Sequence, residues 1–208
     1  MNLTQTNEII DNSWLERPSP QVAPDLVGCT LVRRISDDQI IRSTIVETEA
    51  YAPGDPACHG YRSRTSRNSV MFGPPGMSYV FLIYGMYHCL NIVTDVDGVP
   101  SAVLIRALQL ESVPNCLWER IPKQKSKPSR LAAGPGKLCR ILDIDLTLNG
   151  SSLGVEELMW LEHRTPQFQE DLTKGTIALV QTTRIGLTKG AELPWRWYLA
   201  NCDAVSKL

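Results

Sequence analysis

The most regular pattern in the chain lies between Ile40 and Tyr51, where β-branched and apolar residues recur as in an extended strand and stop at Pro53, Gly54 and Pro56. Two-residue periodicity puts Glu47, Glu49 and Tyr51 on one face, successive members about 6 to 7 Å apart. Such a face is either plain solvated surface or a place where two carboxylates and a phenol influence one another's ionisation. Thr30 to Ile35 reads as the preceding strand, joined through an Asp37-Asp38 turn. Pro20 to Val27, stopped by Gly28, reads as a short helix before it. Ala52 to Gly76, rich in Pro, Gly, Ser and Arg, reads as a long loop with one turn over Asp55 to His59, and loops of that length commonly carry function.

Ser78 to Ile83 and His88 to Thr94 are β-rich runs separated by Tyr84-Gly85-Met86-Tyr87, the pattern of an antiparallel hairpin. Its apolar tip either meets a partner or folds back on the core. Ser101 to Leu110 is another strand, interrupted by Arg106, a charge that needs a partner or a task in such a setting. Val113 to Pro128 reads as irregular with a basic surface. The run from Leu131 through Gly134-Pro135-Gly136 leads into a helix near Gly136, where free N–H groups and Lys137 favour an anion. It lacks the spacing of a Walker loop, so bound nucleotide is not implied. A strand over Thr176 to Thr183, a turn at Arg184-Ile185-Gly186 and a last strand around Trp195 to Leu199 complete the pattern. The fold class is therefore α+β: one mixed domain over residues 1–208, with a curved, largely antiparallel sheet, flanking helices and a protruding β-hairpin. Whether residues 1–15 are ordered is left open.

Composition narrows the classes. A chain of 208 residues can bury a sizeable core, and no apolar run approaches membrane-spanning length. The polar start from Met1 to Asp11 lacks the features of a secretory signal, so an intracellular protein is expected. Six cysteines without a C-x-x-C pair argue for free thiols, and Cys58-His59 alone is weak support for a metal, so neither metal nor cofactor is expected. The net charge of −1 conceals a segregation: between Pro56 and Thr94 the only charged side chains are Arg62, Arg64 and Arg67, apart from histidine. Residues 102–142 are likewise dominated by Lys and Arg, including Lys137 and Arg140. A basic band of this kind can hold phosphates on a nearly neutral protein.

Several segments then carry a resemblance. Glu47-Thr48-Glu49-Ala50-Tyr51, His59, Arg67-Asn68, the run Tyr79 to Asn91, Leu104-Ile105-Arg106-Ala107-Leu108 and Gly134 to Cys139 resemble, in order and spacing, the alkyladenine (3-methyladenine) DNA glycosylase family. The resemblance covers the chain from about the Pro20 helix to the Trp195 strand. It implies a monomeric enzyme that binds double-stranded DNA containing damaged purines, flips the lesion out and cuts its N-glycosidic bond. By the same resemblance Glu49 is the general base and Arg106 helps hold water and phosphate, whereas alternation alone leaves Glu47 and Glu49 equivalent. Tyr51 and Phe81 match the two stacking positions of the base pocket, His59 lines it, and Asn91 matches the position that discriminates against guanine. Phe81 stands where many relatives have tyrosine, which keeps the stacking face, removes a hydroxyl and favours charged lesions held by cation–π attraction.

Tyr84 matches the intercalating wedge, with Met86 and Tyr87 beside it, while Arg62, Arg64, Arg67 and Lys137 are expected on phosphates. No lysine occupies the catalytic segments, which predicts a glycosylase without strand-cleaving activity. Two other readings compete: a non-catalytic DNA-damage-binding module, and a sugar hydrolase using the Glu47/Glu49 pair. Ser206-Lys207-Leu208 spells a peroxisomal address. Three residues recur by chance, and an enzyme of this type belongs with the chromosome, in nucleus or bacterial cytoplasm.

Overall fold

The computed structural model describes residues 7–113, 117 and 127–207. The fold turns on β2 (Gln39–Tyr51), the longest strand, which hydrogen-bonds along both edges. One edge takes β1 (Thr30–Ser36) over its first half and β8 (Arg196–Leu199) over Glu47–Glu49. The other edge takes β5 (Ala102–Leu110). From β5 the sheet continues through β4 (Tyr87–Val93) to β3 (Ser78–Ile83); β6 (Met159–Glu162) extends β1, and β7 (Leu179–Thr182) extends β8. Every one of these ladders is antiparallel. The curved antiparallel sheet and the protruding hairpin expected from the sequence are present.

The β2–β5 ladder is irregular between Ile45 and Thr48. Ile45 opposes Leu108, but Glu47 opposes Ala107, so Val46 is an extra residue; Thr48 opposes Ile105, so Arg106 is the extra residue on the other side. Paired bulges bend strands and re-aim side chains, and they are common beside active sites. Here they let Arg106, in a mostly apolar strand, meet the glutamates of β2.

Helix α1 (Asn12–Leu15) is capped by the Asp11 carboxylate, which accepts from the Trp14 N–H. Ile10 and Leu15 are buried, so residues 7–15 belong to the packed fold. Helix α2 (Ser19–Leu26) buries Val22, Ala23 and Leu26 against the sheet. Helix α3 (Pro135–Ile141) starts one residue before the predicted glycine and buries Leu138, Cys139 and Ile141. The strand β6 and helix α4 (Pro166–Lys174) were not predicted. Most of Val113–Pro128, with Arg120, Lys123 and Lys125, lies outside the described residues. Among the described residues no helix is long and apolar enough to cross a membrane.

Candidate active site

Cross-strand pairing builds the site. Tyr79 opposes Asn91, Asn91 opposes Leu104, Leu104 opposes Glu49, and Glu49 opposes Arg196, so one row of side chains crosses five strands on a single face. Period two adds Phe81, Cys89, Arg106, Tyr51 and Glu47 to that face. Over part of it lies a cavity of about 520 Å³, walled by Glu49, Tyr51, His59, Tyr79, Phe81, Asn91 and Arg106. Ala133–Lys137, at the start of α3, close it from one side and Ile185–Leu187 from another.

Neither glutamate is a solvated surface group; both are 0% exposed. Glu49 Oε1 accepts from the Ile185 N–H at 2.8 Å and lies 3.2 Å from Arg106 Nη1, while Oε2 accepts from the Tyr51 hydroxyl at 2.8 Å. Three donors from three segments therefore fix the carboxylate's orientation. Glu47 lies away from the cavity wall and binds cations: its Oε1 accepts from Arg106 Nε at 2.9 Å and from Arg196 Nε at 2.7 Å. Its Oε2 accepts from the Ser206 N–H at 2.7 Å. Burial alone would raise its pKa, but Arg106, Ser206 and Arg196 together hold it below the ordinary glutamate value. Arg106 is thus a bridge between two carboxylates, and the geometry separates two glutamates that alternation could not.

The aromatic wall has its own supports. Behind Tyr51 the Arg184 guanidinium stands 4.7 Å from the ring centroid. Arg184 is fixed by both oxygens of Asp55 and by the carbonyls of Ala50 and Gly190, and the Arg184 and Asp55 side chains are 0% exposed. Burial, then the charge of Glu49, pushes the Tyr51 phenol far above its usual range, so it stays a hydrogen-bond donor. His59 comes from the long loop, its ring edge-on to Phe81 at 4.6 Å and its Nδ1 2.8 Å from the Tyr79 hydroxyl. Asn68 holds that loop closed by donating to the carbonyls of His59 and Ser63 while accepting from the Thr65 N–H. Partial desolvation, then the charge of Arg67, lowers the His59 pKa, leaving the ring neutral at physiological pH. Burial pushes the Tyr79 phenol up to about 12. Asn91 lines the cavity and donates to the Tyr79 carbonyl at 3.0 Å, so one amide hydrogen is committed to the backbone.

The hairpin tip does not fold back on the core. Tyr84 is 79% exposed and Met86 66%. Tyr84 (φ 54°) and Gly85 (φ 70°) both have positive φ, and the Met86 N–H bonds the Ile83 carbonyl, closing a tight turn of the primed type. A tyrosine in this region costs about 1 to 2 kcal/mol, a strain of the sort found at functional sites. Tyr87 is not part of the tip: it opens β4 and packs so closely on α3 that a Cβ at Gly136 would fall 3.0 Å from its ring. Arg62, Arg64 and Arg67 are exposed on the loop next to His59, Arg64 lying over the Phe72 ring. Lys137 is exposed on the same side of the cavity as α3. No lysine lies on the strands that carry Glu49 and Arg106, but α3 folds over the sheet and brings Lys137 to the cavity lining.

Sequence reasoning missed Tyr79, Asp55, Arg184, Arg196 and Ser206. Tyr79 shares the alternation of Phe81 and was in reach of the pattern. The other four act through partners more than a hundred residues distant and leave no local trace.

Comparison with known proteins gives the family. The family model described as methylpurine-DNA glycosylase matches residues 13–203. A protein of Trichodesmium erythraeum named as a 3-methyladenine DNA glycosylase is 76% identical over 97% of this chain and 98% of its own length. Similarly named proteins of Synechococcus sp. (strain JA-3-3Ab) and Methanoculleus marisnigri are 54% and 45% identical over 93% and 94% of this chain, and over 96% and 97% of their own lengths. Matched across almost its whole length by the family model and by relatives of this similarity, the chain belongs to the methylpurine-DNA glycosylase family.

Proposed function

We propose that this DNA glycosylase of base excision repair binds duplex DNA as a monomer where the chromosome lies and releases alkylated purines by simple hydrolysis. The observation that carries the reading is the Glu49 carboxylate, oriented by three donors in the wall of an aromatic cavity whose rim bears an exposed tyrosine. The lesion nucleotide leaves the stack, Tyr84 fills the space it vacates, and the base enters between Tyr51 and Phe81. Water loses a proton to Glu49 and its oxygen bonds to the anomeric carbon, while the electron pair of the breaking C–N bond leaves with the base. A purine that carries positive charge departs as a neutral base and needs no acid. That suits a cavity whose His59 is neutral and whose Tyr51 and Tyr79 hold their protons.

Arg106, paired with two carboxylates, holds Glu49 in place and presents its remaining N–H groups to water or phosphate. Asn91 excludes guanine, whose exocyclic amino group meets its amide. Arg62, Arg64, Arg67 and Lys137 hold the backbone.

The test is a panel of duplex oligonucleotides, each with one damaged purine, in which released base and strand integrity are read together. Wild type should release base and leave the strand intact, and Glu49→Gln should lower the rate by about 10² to 10⁴. Base release undiminished in Glu49→Gln would refute the assignment of the general base. The sealed strand also tests Lys137: a borohydride-trapped complex through that amine would show lyase chemistry instead.

A further inference from the structure

The segment Ala204–Lys207 lies over the same ion network that orients Glu49. Ala204 and Val205 are 1% and 2% exposed and pack with Val46 and Ala107, which places them at the bulge residue of β2. Arg130 then grips the segment by three backbone carbonyls, donating to Asp203, Val205 and Ser206. Arg196 holds the carbonyl of Lys207. This leaves the Ser206 N–H aimed at Glu47 Oε2 at 2.7 Å, and the Ser206 hydroxyl 3.4 Å from Arg106 Nη2.

We propose that this segment is a strap that sets the position of Arg106, and that Ser206 is a positioning residue acting through Glu47. The inference rests on the hydrolytic reading above. Glu47 has two oxygens with different duties: Oε1 receives both arginines, and Oε2 receives the Ser206 N–H. With that N–H in place the carboxylate cannot rotate to take a second donor from Arg106. Arg106 is then left with Nη1 free to reach Glu49 at 3.2 Å. Without it, a buried carboxylate oxygen loses its donor and competes for the Arg106 guanidinium, drawing it away from Glu49. The strap also runs close to the cavity wall, since a Cβ added at Gly134 would lie 4.0 Å from the Ser206 side chain.

Proline at position 206 removes the N–H that Glu47 uses, together with the hydroxyl 3.4 Å from Arg106 Nη2. In single-turnover base release with enzyme in excess, Ser206→Pro should be slower than wild type by about tenfold or more, with the Kd for the same damaged duplex changed by less than about threefold. In a Glu47→Gln background the same substitution should have little further effect, because two residues acting through one contact are not additive. Asp203→Ala, which alters only an exposed side chain, should match wild type.

An unchanged rate in Ser206→Pro, or an equal loss in the Glu47→Gln background, overturns the proposal. So does a Kd that rises as the rate falls, which would make the strap a DNA contact. If Ser206→Pro lacks a cooperative thermal transition, Arg130→Met replaces it, with the same slowing expected and an unchanged rate overturning. Wild-type protein that releases no base from any damaged duplex would instead overturn the hydrolytic reading itself.

Discussion

Replacing Arg184 by methionine tests how the aromatic wall is held. The guanidinium meets both oxygens of Asp55 and the carbonyls of Ala50 and Gly190, with no solvent on either charged side chain. Once it is gone, Asp55 keeps only the Ala57 N–H at 3.0 Å, too little for a buried carboxylate. Breaking one side of such a pair costs about 3 to 5 kcal/mol, several times the 0.5 to 2 kcal/mol expected from the cation over the Tyr51 ring. For a domain of this size each kcal/mol moves Tm by about 2 to 4 °C, so the midpoint should fall by about 6 to 20 °C. Removing both charges, as in Arg184→Met with Asp55→Leu, should recover much of that, since a buried pair replaced by apolar groups costs little. Catalysis should not recover, because Tyr51 still lacks the group that backs its ring. Thermal unfolding followed by circular dichroism gives the first quantity and single-turnover base release at a temperature where all variants are folded gives the second. A single variant melting within about 2 °C of wild type, or a double variant no more stable than the single one, would refute the reasoning.

Tyr84→Gly relieves a left-handed tyrosine and removes the proposed wedge together, so thermal stability should hold or rise while base release from duplex falls at least about tenfold; a parallel loss of both would contradict this. Lys137→Ala should weaken damaged and undamaged duplex about equally and reduce the slope of log K against log salt by about 0.9, as titrations at several salt concentrations would read. Glu47 and Glu162 both have lowered folded pKa values: burial opposes this, but Arg106 with Ser206 and Arg42 with Trp160 outweigh it. Their contribution to stability is complete above the ordinary glutamate value near 4.3 and is lost as pH falls through the lower folded values. Urea unfolding at successive pH values should therefore show stability dropping on the acid side of that point. Arg67→Gln removes one of the two causes that lower His59, so the His59 ring resonance should titrate at higher pH than in wild type.

Much of this could be read from the chain before folding because the relevant strands are long enough to show their period. Ser78–Ile83 and the run after Tyr87 are rich in β-forming apolar residues, and the hairpin with its exposed Tyr84 is where that pattern puts it. The strand carrying Glu47, Glu49 and Tyr51 was equally legible. The four residues Met159–Glu162 are too short for alternation and are buried throughout, so β6 gave no signal. Helix α4 has no fully buried residue, and its apolar face is only Phe168 and Leu172, too narrow to stand out. Its Thr165 cap, Pro166 at the first turn and left-handed Gly175 at the end were local signs that could have revealed it.

What stayed hidden was tertiary. That Glu47 holds arginines while Glu49 faces the cavity depends on Arg196 and Ser206, which join β2 only after the last third of the chain has docked. The opposing bulges at Val46 and Arg106 are set by the ladder, and neither residue type announces one.

The single row from Tyr79 through Asn91, Leu104 and Glu49 to Arg196 ties chemical competence to strand alignment. A slip of one residue in any of its ladders would turn that strand's members to the opposite side and leave nothing to grip a purine. Competence for base release should therefore appear only when the whole sheet has registered, since no partial set of strands carries the complete row.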